Sequence, residues 1–249
     1  MGLFDIFKGG SKSDATPGDK KAAAAAKWAD RAGDKRAQNY DRQEAIAALA
    51  EMGTAESAAA LLKRFTFTVD PSITDQEERE KAFNGVLKAG DQAIAPVRAF
   101  SAKAESLAWP IRIVKSLLSE ELYVQELILW LQPWDTEYSK FIDPKLQILA
   151  TLEDHVHPSI RPAVEPFLDD VNESARYHAA ATLLAQNDPD TLSPLLKMLP
   201  KEESFRIKNK IADAIATKGW KASPELQQEV DDALPPSYMF DSEGRVVHR

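Results

Sequence analysis

One phrase recurs along this chain: an alanine- and leucine-rich helical run, a glycine or asparagine stop, a polar residue, and a second helical run. Its first copy is Glu44-Ala45-Ile46-Ala47-Ala48-Leu49-Ala50-Glu51-Met52-Gly53, after which Thr54 opens a run through Ala58, Leu61, Leu62 and Phe65. The apolar residues fall at helical spacing, Gly53 can adopt the left-handed conformation that ends a helix, and the Thr54 hydroxyl is placed to cap the next one. The phrase returns from Lys81 to Gly90, with Asp91 as the expected cap and Ile94, Val97 and Phe100 as the apolar face. It returns again from His178 to Asn187, where Asp188-Pro189 opens the run of Leu192, Leu195, Leu196 and Leu199. Weaker copies turn near Ser119, Asp154 and Gly219. The turns at 53, 90, 119, 154, 187 and 219 lie 37, 29, 35, 33 and 32 residues apart. Helix pairs repeating every 30–45 residues or so are the mark of α-solenoids. The expected fold class is therefore all-α, a right-handed α-solenoid of about six helical hairpins.

Local signals fill in the boundaries. Thr74-Asp75-Gln76-Glu77 has the form of a capping box with Thr74 as cap. Asp143-Pro144 and His157-Pro158 put proline where a first helical turn lacks an N–H partner in any case. Thr66 to Pro71 reads as an extended connection, because a single strand-like run between helix pairs has nothing to pair with. Asp169-Asp170 with Glu173 is expected to cap the first helix of the fifth hairpin, where acids suit the positive end of the dipole. The domain plan that follows is an apolar segment over 1–8, a flexible or partly helical linker over 9–38, the solenoid over 39–233, and a tail over 234–249. Lys20 to Lys35 has helical propensity but only Trp28 as a large apolar anchor. In the tail, Ser242-Glu243-Gly244 suggests a turn between two short extended segments that fold over the last hairpin.

Charge narrows the possible partners. Residues 1–43 hold nine Lys and Arg against six Asp, a net of +3, which leaves −11 for the rest of a chain whose total is −8. An acidic body argues against nucleic acid, whose phosphates are held by clustered Lys and Arg, and favours a protein partner with a basic patch. The absence of cysteine removes disulfides, thiolate nucleophiles and thiolate metal sites, and suits a cytoplasmic location. No apolar run approaches the ~20 residues that span a bilayer.

The alanine-rich helix, the Gly turn, the Asp or Thr after it, and the second helix with Pro96, Pro162 or Pro194 in its first turns together resemble the HEAT-repeat superfamily. The likeness is strongest to the bacterial HEAT-like repeats first described in phycobilin lyases, and it covers residues 40–230 or so. It implies an armadillo-like helical scaffold that grips a partner on its concave face. Arg112 and Arg176 stand where the family often carries an arginine in a first helix, without a clear Asp to pair with across repeats. The same superfamily includes tetrapyrrole lyases and DNA-base excision enzymes, which are the alternative the resemblance implies.

Catalytic motifs are missing from the sequence. Neither phosphate loop occurs, and neither H-E-x-x-H nor G-x-S-x-G is found. His155-Val156-His157, with Glu153 and Asp154 beside it, is the one cluster that could bear on zinc, and it lacks a clear third ligand. The expectation is a non-catalytic binding protein with no cofactor and no metal. Two features stand out as partner-binding candidates. Trp134 follows a helix-ending proline in a loop with Tyr138, where it would either anchor a partner, Trp being common at interface hot spots, or pack against the next unit of its own chain. Leu3, Phe4, Ile6 and Phe7 would dock into a partner's groove, lie on a membrane surface, or tuck against the protein itself. Trp109, Tyr123, Trp130 and Phe141 are expected to be mostly core.

Overall fold

A computed structural model describes residues 17–249. Over these residues the chain is all-α, with thirteen α-helices and one small antiparallel hairpin. They divide into two compact units, one running up to Pro96 and the other spanning Val97–Arg249.

The first unit holds α1 (Pro17–Ala32), α2 (Asn39–Met52), α3 (Ala55–Leu62), α4 (Ser72–Lys88) and the start of α5 (Ile94–Ser101). Helix α1 lies against α2 and α3 and buries Ala25 and Ala32, so two small residues seat it where a large anchor was sought. Helices α2, α3 and α4 enclose Ile46, Leu49, Leu61, Ala82 and Val86. The expected cap of α3 is present and doubled: the Ser57 N–H donates to Thr54 Oγ1 at 3.2 Å, and the Thr54 N–H donates to Ser57 Oγ at 3.1 Å. Gly85 lets α4 approach closely, since a Cβ there would lie 2.7 Å from both Ala50 Cβ and Leu61 Cδ1.

Beneath this apolar layer sits an ionic one. Glu78 accepts from Arg42 and Arg64, and all three side chains are buried. The Arg64 Nη2 donates to Asp75 Oδ1 at 2.7 Å, and the Val69 N–H reaches the same oxygen at 3.0 Å. Arg64 and Arg79 both donate to the Phe67 carbonyl. The extended connection is thus held by arginines instead of a partner strand. The capping box expected at Thr74 is corrected. Helix α4 starts at Ser72, with Pro71 at its cap position and no side-chain cap, so Thr74 lies within its first turn.

The second unit continues with α6 (Ala108–Leu117), α7 (Glu120–Leu131), α8 (Asp143–Leu152), α9 (Ile160–Val164), α10 (Glu173–Ala185), α11 (Leu192–Met198), α12 (Phe205–Lys218) and α13 (Pro224–Val230). Helix α7 packs on α8, α8 on α10, α10 on α12, and α11 on α13. The Thr182 hydroxyl donates to the Leu149 carbonyl at 3.1 Å inside the α8–α10 contact. Strands β1 (Tyr238–Phe240) and β2 (Val246–His248) pair in the register Tyr238↔His248. They fold back over α12 and α13: Tyr238 Oη donates to Asp213, and the Ala222 N–H donates to the Gly244 carbonyl at 2.8 Å.

The turn residues behave as their chemistry requires. Gly53, Gly90, Asn187 and Gly219 have φ of 56°, 56°, 52° and 62°. Ser119 caps α7 and Asp188 caps the short 3-10 turn at Pro189. Other expected caps are corrected. Asp91 lies inside a 3-10 turn over Gly90–Ala93 with no side-chain cap. Helix α9 begins at Ile160, two residues beyond Pro158. Asn172, and neither Asp169 nor Asp170, caps α10, by accepting from the Ser174 and Ala175 N–H groups.

Candidate binding groove

Helix α7 carries apolar residues on more of its circumference than one buried stripe needs. Tyr123, Val124, Leu127, Trp130 and Leu131 are buried, while Leu122 and Leu129 remain on the surface. The far side of α7 is organised by Glu126. Arg98, on α5, donates to it in bidentate fashion, Nε to Oε1 at 2.8 Å and Nη2 to Oε2 at 2.6 Å. The Trp130 indole N–H donates to the same carboxylate at 2.7 Å. Such paired charge-assisted bonds fix orientation as well as contact. They hold the Arg98 proton above the guanidinium's ordinary range, with the Glu126 hydrogen bond as the main cause.

Two further segments close on this helix. After α5 the chain bends through Ser101–Leu107, and the Leu107 N–H donates to Gln147 Oε1 at 2.5 Å while Gln147 Nε2 donates to Ser106 Oγ at 3.2 Å. Between α7 and α8 runs the connection 132–142. Its course is set by buried Lys145, which donates to the Asp135 carbonyl at 3.0 Å and to Asp170 Oδ2 at 2.5 Å. One residue on, the Val171 N–H donates to the Thr136 carbonyl at 2.9 Å.

The three segments enclose a groove of about 680 Å³, within the usual range of ligand sites. Leu107, Leu129, Trp130, Pro133, Trp134 and Phe141 give it apolar walls. Arg98, Lys103 and Glu105 stand at its edge. Trp134 is half-buried in one wall, and Phe141 is 59% exposed. Tyr138 shares the Trp134 connection but is 82% exposed and lies off the lining. Leu3, Phe4, Ile6 and Phe7 lie outside the described residues. Arg98, Leu107 and Leu129 were missed in the sequence. The surplus of apolar residues around α7 was the available signal.

The remaining sequence candidates are dispersed. His155 bonds Glu120 through Nδ1, whereas His157 Nδ1 lies 2.5 Å from Ser159 Oγ. Among the described residues no group of three or more His, Cys, Asp or Glu could hold a metal ion. Asp169, Asp170 and Glu173 pair with Lys201, Lys145 and Arg206 respectively. Arg112 lies over the Trp109 ring at 4.9 Å. Arg176 reaches Glu202 at 2.7 and 3.0 Å, so its partner is a glutamate 26 residues further on. Among the described residues no helix is long and apolar enough to cross a membrane. Comparison with family models, with curated proteins and with solved structures finds no match to the chain.

Proposed function

We propose that this chain is a HEAT-like repeat protein that binds a protein partner without catalysing a reaction, and that the groove beside α7 is its contact site. The observation that carries this reading is the state of the groove's polar groups. Glu126, Arg98, the Trp130 indole, the Leu107 N–H and Gln147 are all bonded to one another or to near neighbours. None forms the nucleophile–base–orienting-group arrangement that catalysis at the groove would need. Inside the charged edge of Arg98, Lys103 and Glu105 the walls are apolar and aromatic, the material of interface anchors. The repeat assignment is supported by turns at even spacing and by cation–carboxylate pairs joining a helix to a helix or inter-helix turn 25–36 residues on, as in Arg42–Glu78, Arg98–Glu126, Lys145–Asp170 and Arg176–Glu202.

The test is capture from native extract with crosslinking and mass spectrometry, using the full chain and a Leu129→Arg variant whose helicity matches it. Leu129 is 38% exposed on the groove wall, so an arginine there fouls the groove without entering the core. A stoichiometric partner held by the parent and lost by the variant supports the reading. A partner retained equally by both removes the groove from it.

A further inference from the structure

Resting on that reading, we infer that the groove takes a segment of partner chain carrying bulky apolar side chains flanked by lysine or arginine. Two observations set this chemistry. The first is the floor. Its hydrogen-bonding groups are consumed internally, so a polar side chain placed there would lose water and gain no bond. A volume of about 680 Å³ accommodates more than one large apolar side chain.

The second observation is the rim. Arg98 is cancelled by Glu126. Three carboxylates then remain exposed on or directly beside the lining: Glu105, Asp135 next to Trp134, and Asp143 next to Pro144. Only Lys103 and Lys140 oppose them, and the Lys140 ammonium lies 5.2 Å from the Phe141 ring centroid. The rim therefore carries a net negative charge around an apolar slot, and a segment with cationic flanks complements both. Rim charges of this kind govern association rate and specificity and are screened by salt.

The measurement is fluorescence anisotropy of three labelled peptides titrated with the full chain. All share one Leu-Phe core, flanked by lysines, by serines or by glutamates. At about 0.01 M salt the lysine peptide binds roughly tenfold tighter than the serine peptide, the sum of a few exposed pairs. At about 1 M salt the two converge. The glutamate peptide binds most weakly at low salt and converges with the other two at high salt. Glu105→Lys combined with Asp135→Asn removes the lysine peptide's advantage and leaves serine-peptide binding unchanged. Equal affinity of the lysine and serine peptides at low salt overturns the inference while the groove remains a binding site. Failure of all three peptides to bind takes the groove reading down with it. If replacing Leu3, Phe4, Ile6 and Phe7 with Ser raises the affinity for every peptide, the chain's own segment is the occupant and the inference is overturned.

Discussion

Replacing Glu78 with Gln keeps the shape of a buried side chain and removes its charge. The carboxylate accepts three hydrogen bonds: from Arg42 Nε at 2.8 Å, Arg42 Nη2 at 3.0 Å and Arg64 Nε at 2.7 Å. An amide offers one oxygen, and its NH₂ must face a guanidinium N–H, donor against donor. The two arginines fare differently. Arg64 keeps a charged partner, Asp75 at 2.7 Å. Arg42 is left with neutral acceptors only, Asn39 Oδ1 at 2.7 Å and the Ala37 carbonyl at 2.8 Å. A guanidinium exposed by 1% then has no counter-charge. Stranding a buried charge in this way costs about 3–5 kcal/mol. In a body of under a hundred residues that lowers the melting temperature by about 20 °C. The assay is hydrogen exchange read by mass spectrometry on peptides from α2 and α4, where protection should fall by roughly two to three orders of magnitude. A second change makes the reasoning specific: Arg42→Met in the Glu78→Gln background removes the stranded charge, so the double variant should be more stable than the single one. A Glu78→Gln loss below about 1 kcal/mol, or a double variant weaker than the single, would refute it.

Other predictions follow from the same structure. Gly85→Ala should destabilise by roughly 1–3 kcal/mol in urea titration despite alanine's higher helix propensity, because its Cβ meets Ala50 and Leu61 at 2.7 Å. Gly219→Ala, with nothing within 4 Å of its Cβ, should cost only the left-handed backbone strain of about 1–2 kcal/mol. Burial pushes the Asp75 and Glu202 carboxyls up, but hydrogen bonds and charge from Arg64 and Arg79 at the first, and from Arg176 at the second, outweigh it and hold both below the ordinary range. Their contribution is present at neutral pH and is lost as pH falls through the depressed values, so an acid titration of stability should steepen below the usual carboxylate range in the parent and less so in Arg176→Met. Burial, aided by Glu120 and Asp154, pushes the Tyr123 phenol from 10.0 to about 12. Ultraviolet absorbance should therefore show one tyrosine ionising about two pH units late, with stability falling between those two values.

The helices and their stops were legible because both depend on a few neighbouring residues. Gly53, Gly90, Asn187 and Gly219 ended helices where they were expected to, and each has the positive φ that glycine or asparagine tolerates. Caps were less legible, because a polar side chain near a helix start has competitors that sequence does not reveal. Thr74 fell inside α4, which starts two residues earlier at Ser72, and Asp170 went to Lys145, distant in sequence, while Asn172 capped α10. The groove was hardest to foresee. Trp134 was visible as a loop tryptophan, but its opposite wall comes from residues near 100, and the bonds that bring it there, Arg98–Glu126 and Leu107–Gln147, span 28 and 40 residues. Tyr138 looked equivalent to Trp134 in sequence, yet four residues along the same connection it is out on the surface.

Why the groove falls where it does follows from how these ion pairs are set. Arg42–Glu78 and Lys145–Asp170 are sealed, each side chain exposed by 1% or less, and pairs of that kind specify which helices meet more than they stabilise the meeting. Arg98–Glu126 has the same geometry but one open end, for the Arg98 side chain is 49% exposed. The connection from Gln132 to Ile142, on the opposite wall of the groove, is tied instead to Lys145 and to the 170–171 turn. The buried Lys145–Asp170 pair thus acts at a distance. By fixing Asp135 and Thr136 it keeps Trp134 and Phe141 standing as a wall, so that the floor around Trp130 stays open. Lys145→Met paired with Asp170→Leu would leave no stranded charge, yet should release the 132–142 connection and narrow the groove. Loss of peptide binding with little change in melting temperature is the expected result, and unchanged affinity would show that the wall stands without its anchor.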